Sequence, residues 1–222
     1  MSRAIVIFSG GQDSTTCLGW AKNRYEEVKA VSYIYGQKHK IEIEQARKIA
    51  ACLQIPLEVI DISFYSKMVN SALFGTGDVS GSHEDHEDLP ASFVPNRNAL
   101  FILLTHSLAQ TYKAESIITG VCQTDYSGYP DCRQDFITIM ETSLNLGSNQ
   151  SIRIETPLMY LTKAETFELA KTEGVLDLVI KESFTCYNAV SLMNPWGRGC
   201  GNCPACLLRS KGYYEFITKT GD

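Results

Sequence analysis

Five short runs of strand-forming residues, at positions 4–8, 28–35, 57–62, 116–121 and 152–156, alternate along this chain with longer stretches whose apolar residues recur at helical spacing. Neighbouring parallel strands cannot be joined by a tight turn; they need a crossover of about a dozen residues or more, which a helix supplies. The alternation therefore predicts an α/β fold with a mainly parallel sheet. The connecting stretches carry the apolar stripes that such a sheet requires on its faces. Residues 40–53 align Ala46, Ile49, Ala50 and Leu53, residues 97–113 align Leu100, Phe101, Leu104 and Leu108, and residues 133–146 align Phe136, Ile137, Met140 and Leu144. Thr162, with Glu165 three positions on, spells a capping box for a further helix. With 222 residues, 44% of them hydrophobic, the chain can bury one substantial core and is short for two independent domains. The expected architecture is one open, doubly wound sheet that gathers ligands beyond the carboxyl ends of its strands.

One of those carboxyl ends is marked. Ser9-Gly10-Gly11-Gln12-Asp13-Ser14 stands where the first strand hands over to its helix. Adjacent glycines let the backbone take positive φ and approach an oxyanion closely. Ser9, Ser14 and Thr15 add hydroxyl donors, and the helix start adds unpaired N–H groups with partial positive charge. An anion belongs in such a turn. The spacing is neither that of the P-loop nor the GxGxxG of a dinucleotide fold. It resembles the SGGxDS pyrophosphate loop of ATP pyrophosphatases, which cut ATP between its α and β phosphates and adenylate a substrate.

Three polar segments fall at other expected strand or helix ends. They are residues 35–39, with Tyr35, Gln37 and His39; residues 94–98, with Arg97 and Asn98; and residues 119–133, with Asp125, Tyr126, Tyr129, Asp131 and Arg133. Loops at one edge of such a sheet converge over one site. Their amides, carboxylates, guanidinium groups and phenol rings suit a flat, hydrogen-bonding heterocycle. Lys163 puts a cation at a helix start, where the dipole disfavours it unless an anion is near; a phosphate would be that anion. Residues 74–95, with three glycines and the run His83-Glu84-Asp85-His86-Glu87-Asp88, break the pattern and read as a mobile loop, possible as a lid, with a solvated acidic tip.

Of eight cysteines, Cys186, Cys200, Cys203 and Cys206 crowd one C-terminal stretch, the last three as CxxCxxC. Two-residue spacers turn successive thiolates toward one centre, and a fourth thiolate completes a tetrahedral site suited to structural Zn²⁺. The iron–sulfur alternative lacks its usual fourth ligand, because Ser210 stands in that place. Cys17 and Cys52 read as core residues, Cys122 and Cys132 as loop thiols without a histidine partner, and His106 as a structural helix histidine. No apolar stretch reaches the length of a membrane span, and the first is too short for an export signal, so a soluble cytoplasmic protein with reduced thiols is expected. A formal net charge of −5, with Lys and Arg scattered, argues for a small-molecule substrate over a nucleic acid.

The segments SGGQDSTTCL, YGQKHKIE, FVPNRN, TGVCQTDYSGYPDCR, TPLMYLTKAET, TCYN and GCGNCPAC occur in this order between about residues 5 and 208. Together they resemble the 7-cyano-7-deazaguanine synthases, ATP-dependent ligases of the queuosine pathway within the pyrophosphate-loop superfamily. The resemblance implies an adenine nucleotide alpha hydrolase-like domain over residues 1–183. Residues 184–222 would form a four-cysteine zinc segment and a C-terminal helix packed on the same domain. It implies that 7-carboxy-7-deazaguanine, ammonia and ATP with Mg²⁺ give the nitrile, AMP and pyrophosphate in a homodimer without nucleic acid or membrane. ATP would be bound by Phe8, Ser9, Gly10, Gly11, Gln12, Asp13 and Ser14, continuing through Thr15, Thr16, Cys17 and Leu18. Ser14, Asp13 and Lys163 would be catalytic, Asp13 by holding Mg²⁺ or shaping the loop and Lys163 by meeting pyrophosphate charge. Tyr35, Gln37, Arg97, Asn98, Asp125, Tyr129, Asp131 and Arg133 would contact the deazaguanine. The gap from Cys186 to Cys200 is longer than the resemblance implies. A tRNA-modifying adenylase or thiolase of the same superfamily is the alternative.

Overall fold

The computed structural model describes residues 1–37, 41–74, 81–124 and 129–221. Its central element is β1 (Arg3–Ile7), whose side chains alternate between two buried faces: Ala4 and Val6, continued by Phe8 just past the strand, enter one core cluster and Ile5 another. A strand covered on both sides carries the near-continuous apolar run of a parallel sheet. Helix α1 (Gln12–Lys22) leads to β2 (Glu27–Ile34), and α2 (Ile41–Cys52) to β3 (Leu57–Asp61). A hairpin of β4 (Ser82–His83) and β5 (His86–Pro90) precedes α3 (Arg97–Tyr112), β6 (Ser116–Ile118), α4 (Gln134–Ser148) and β7 (Arg153–Glu155). The chain closes with α5 (Lys163–Thr172), α6 (Leu176–Lys181), a second hairpin of β8 (Met193–Asn194) and β9 (Gly197–Arg198), and α7 (Pro204–Thr220).

The expected doubly wound sheet is present: five parallel strands in the order β3-β2-β1-β6-β7. Chain order runs outward from β1 to β3, then returns through α3 to β6 on the other side of β1. The switch point lies between β1 and β6, where this architecture opens a crevice. Leu18 and Ala21 of α1, Ala46 and Ile49 of α2, and Phe167 of α5 pack on one face of the sheet. Ala109 of α3, with Leu100, Phe101, Leu104 and Leu108, covers the other, and Ile102 meets Ile137 of α4 beside Ile154. The capping box is intact: Thr162 accepts from the Glu165 N–H, and the Thr162 N–H donates to the Glu165 carboxylate at 2.7 Å.

Three expectations are corrected. Residues 82–90 are not a structureless tip but a hairpin. His83 is buried, and since its Nδ1 accepts from the Asp85 N–H at 3.1 Å, its Nε2 donates to the Asn70 carbonyl at 2.9 Å. The exposed acidic residues around it hide this anchor from a reading of composition. Cys52, at the end of α2, is exposed because the apolar stripe of that helix closes on Leu53. Strand β6 is shorter than its apolar run, ending at Ile118, because residues 119–122 leave the sheet to line the crevice.

Candidate active site

The turn after β1 is held by its own hydroxyls. Ser14 Oγ takes the Ser9 N–H at 3.2 Å, lies 3.1 Å from Ser9 Oγ and donates to the Gly11 carbonyl. Gly10 sits at φ +79°, and a Cβ there would come within 2.9 Å of the Glu42 carbonyl and the Ala46 N of α2. Both positive φ and close approach demand glycine. No described side chain caps α1, so its first-turn N–H groups face the crevice without intrahelical partners. The arrangement is an anion cradle.

A cavity of about 310 Å³ opens over this turn. Of the expected nucleotide residues, Phe8, Ser9, Gly11, Gln12, Asp13 and Ser14 are on its wall, whereas Thr15, Thr16, Cys17 and Leu18 are buried along α1 and Gly10 packs against α2. Lys163 Nζ reaches Asp13 across the cavity with bonds of 2.9 and 2.7 Å to its two oxygens. The anion met by that helix-start cation is therefore the Asp13 carboxylate. Gln12 is 1% exposed, yet neither its Oε1 nor its Nε2 has a hydrogen-bond partner among the described residues. A buried orphan amide costs on the order of 1–3 kcal/mol, and its place on the cavity wall makes a ligand the natural partner.

The far end of the cavity is aromatic. Tyr35 meets Phe101 edge-on at 5.4 Å, Phe101 stacks on Tyr33 at 4.7 Å, and the Arg97 guanidinium lies 5.7 Å from the Tyr35 ring centre. Burial works against the Arg97 charge, but Tyr35, Asp131, Tyr129 and Tyr187 around it hold it protonated. Gln37 bridges the end of β2, accepting from the Tyr35 N–H and donating to the Tyr33 carbonyl. Tyr129 is fixed by Ser92 Oγ at 2.7 Å and stacks on Phe93. Asn98 lines the cavity, and Asp131 stands behind it, accepting from the Asn98 N–H at 3.1 Å and so serving the start of α3. Arg133 is exposed at the start of α4 and does not line the cavity. Asp125, Tyr126 and His39 lie outside the described residues.

Other wall residues escaped the sequence reading. Glu42, Thr185 and Tyr187 belong to the quoted segments YGQKHKIE and TCYN, but nothing in their spacing singles them out. Burial raises the Glu42 carboxyl from 4.5 to about 7, with Arg97 opposing. Arg209, on α7, carried no signal. It is 1% exposed, and its guanidinium donates to the carbonyls of Trp196, Val179 and Ser183 and to Thr185 Oγ1. Burial lowers its pKa to about 10.

Arg209 ties the cavity to the cysteines. The ligand atoms of Cys186, Cys200, Cys203 and Cys206 all lie within 4.8 Å of one another, the one such group among the described residues. A tetrahedral metal bound at about 2.3 Å by four thiolates sets its sulfurs about 3.8 Å apart, and Cys200 and Cys206 Sγ are separated by 3.9 Å. The Cys203 N–H donates to Cys200 Sγ at 3.3 Å, as a thiolate knuckle requires. Hydrogen bonds from Cys203 and Cys206 pull the Cys186 thiol down, while the contact with Cys186 pushes the other two up. Only a cation lets all four ionise together, so the donor set fits a metal ion. The longer gap before Cys200 is filled by the β8–β9 hairpin, whose Trp196 packs against Cys186, Cys203 and Cys206.

A family model described as queuosine biosynthesis protein QueC matches residues 3–217. The chain is 55% identical over 218 residues to the 7-cyano-7-deazaguanine synthase of Helicobacter pylori strain HPAG1, covering 97% of this chain and 96% of that protein. It is 47% identical over 216 residues to the protein of the same name from Lysinibacillus sphaericus strain C3-41, covering 97% and 96%. Among solved structures, the NMN synthetase of Francisella tularensis superposes with a TM-score of 0.50 at 14% identity, over 98% of this chain and 86% of that one. This last likeness concerns the fold alone.

Proposed function

Since the chain belongs to the QueC family of queuosine biosynthesis proteins, we propose that it converts 7-carboxy-7-deazaguanine, ammonia and ATP to 7-cyano-7-deazaguanine, releasing AMP and pyrophosphate. The observation that carries this reading is one continuous cavity joining an uncapped phosphate turn to an aromatic, amide-lined end. A carboxylate is a poor electrophile, and adenylation gives it a good leaving group. Ammonia then forms the amide, and adenylation of the amide oxygen permits its loss as the nitrile. The protein's part is chiefly to position and neutralise. Ser9, Gly11 and Ser14 with the start of α1 hold phosphate oxygens, and Lys163, steadied by Asp13, meets the charge developing on pyrophosphate. Mg²⁺ arriving with ATP supplies further neutralisation of the phosphates. Tyr35, Asn98 and Tyr129 frame the heterocycle, and Arg97 receives its carboxylate.

Cys186, Cys200, Cys203 and Cys206 hold one structural Zn²⁺, since four protein ligands leave no position for substrate. No described helix is long and apolar enough to cross a membrane, and reduced thiols in the cytoplasm would keep this ligand set. Resemblance alone supports a homodimer, which light scattering tests. The decisive experiment is turnover of ¹⁸O-carboxyl substrate with ATP and ammonium, read by mass spectrometry. Label is expected in AMP from both half-reactions, and 7-amido-7-deazaguanine should yield nitrile without ammonia. An inert amide, or label released to water or pyrophosphate instead of AMP, would overturn the reading.

A further inference from the structure

The proposed reaction moves protons as well as phosphates. As ammonia forms the C–N bond to the acyl-adenylate, AMP departs with the electron pair of the broken C–O bond, and the nitrogen must release a proton. In the second half-reaction the O-adenylated amide loses AMP in the same way. Its two N–H protons leave as the triple bond forms. Nothing is oxidised or reduced. Each half-reaction therefore needs a proton acceptor beside the reacting nitrogen.

The cavity wall holds few candidates. Its carboxylates, among the described residues, are Asp13 and Glu42. Both oxygens of Asp13 are engaged by Lys163. Burial keeps Tyr33, Tyr35 and Tyr187 as phenols at neutral pH, Tyr33 up to about 12. Tyr129 is bonded to Ser92, Cys122 donates to the Leu161 carbonyl, and Cys132 accepts from the Asn98 amide. Lys163, Arg97 and Arg209 are cations. Glu42 differs from all of these. No hydrogen bond or ion pair from a described residue holds its carboxylate, and among the described residues its facing charged or titratable groups are Arg97 from α3 and Tyr35 from the end of β2.

Its position is fixed from the backbone. Glu42 lies in the first turn of α2, and its carbonyl stands against Gly10 of the phosphate turn, where even a Cβ would intrude to 2.9 Å. Its side chain therefore joins the cavity where the phosphate turn gives way to Tyr35 and Arg97, the junction at which a carboxyl bound by Arg97 would meet the α-phosphate. We infer that Glu42 is the general base of both half-reactions, accepting a proton from the ammonia nitrogen during amide formation and one from the amide nitrogen during nitrile formation, the second N–H proton leaving on the departing AMP phosphate; this rests on the reaction proposed above. A carboxyl held near neutrality by burial also returns its proton readily between the two steps.

Glu42→Gln keeps size and hydrogen bonding while removing the base. Three rates separate its roles: acid-dependent pyrophosphate–ATP exchange without ammonia, amide formation on adding ammonium, and nitrile formation from supplied amide. Glu42→Gln should leave exchange within about threefold of wild type while slowing the other two on the order of 10²–10⁴-fold. It should also remove the acid limb of the nitrile-formation profile, read from supplied amide so that no ammonium titrates in the assay. Glu42→Asp, with its carboxylate one methylene short, should recover part of both rates. Equal loss of all three rates means a structural or nucleotide-binding role; amide and nitrile formation at wild-type rates, or Glu42→Asp no faster than Glu42→Gln, equally removes the base. Absence of acid-dependent exchange in the wild type would instead sink the reaction itself.

Discussion

Gln12 and Ser14 sit two residues apart in one turn and have opposite relations to the ligand-free fold. Ser14 Oγ is held by Ser9 and Gly11 in the ligand-free fold, whereas the Gln12 amide is buried with no partner among the described residues. Gln12→Leu should therefore raise the unfolding midpoint of the ligand-free protein, by relief of about 1–3 kcal/mol, while raising KM for ATP or the acid about tenfold. A lowered midpoint with unchanged KM would make Gln12 a packing residue. Ser14→Ala should slow both half-reactions by about tenfold or more, because the same hydroxyl shapes the turn each time; loss of one alone points to a second nucleotide site. Glu42 adds a pH signature. Its folded carboxyl pKa is raised from 4.5 to about 7 by burial, so its stabilising contribution is complete below 4.5 and is lost as pH rises through about 7. Thermal melts of wild type and Glu42→Gln should coincide near pH 4 and separate by pH 8, the variant unfolding later. At this scale the sequence exposed the phosphate turn, whose chemistry is local to six residues. It concealed Glu42, Tyr187 and Arg209, whose importance comes from which loop they face.

At the scale of elements, α5 is placed by a cap at its start and a close neighbour along its side. The Thr162–Glu165 capping box also sets Lys163, the first residue of the helix, opposite Asp13. Thr162→Ala should cost about 1 kcal/mol of stability and lower kcat/KM through a misplaced lysine. Hydrogen bonds from Thr162 lower the Glu165 carboxyl, so its contribution is present above the ordinary carboxylate range and fades as pH falls below it. The wild-type advantage over Thr162→Ala should thus shrink in acid. Gly212 of α7 is the side neighbour: a Cβ there would lie 2.4 Å from the Lys163 Cβ and 2.9 Å from its carbonyl carbon. Gly212→Ala should destabilise by about 1–3 kcal/mol and slow pyrophosphate release or exchange, although Gly212 is remote from the phosphate turn in sequence. Full activity and stability in that variant would mean that the two helices simply slide apart. The capping box was legible because its signal spans four residues. The α5–α7 contact was not, since a mid-helix glycine reads the same whether it faces solvent or another backbone.

For the whole molecule, local periodicity revealed that the sheet is parallel, but strand order and the meeting of the two chain ends arise only from packing. The Phe184 N–H donates to the Gly10 carbonyl at 2.9 Å, and Phe184, Thr185, Tyr187, Leu208 and Arg209 form one wall of the cavity. Metal analysis of the purified chain should find about one zinc and little iron. Removing it with a chelator should lower the unfolding midpoint and weaken ATP binding with it; unaltered nucleotide affinity in the metal-free, folded protein would uncouple the two. Arg209 of α7, whose guanidinium holds the carbonyls of Val179 in α6 and of Ser183, also limits how this chain can be reshaped by recombination. A foreign C-terminal cassette spliced after α6, even one with its own intact cysteine cluster, would leave the Val179 carbonyl without its partner unless it brought a guanidinium to the same place. The two halves of such a chimera would have to be inherited, and exchanged, as one.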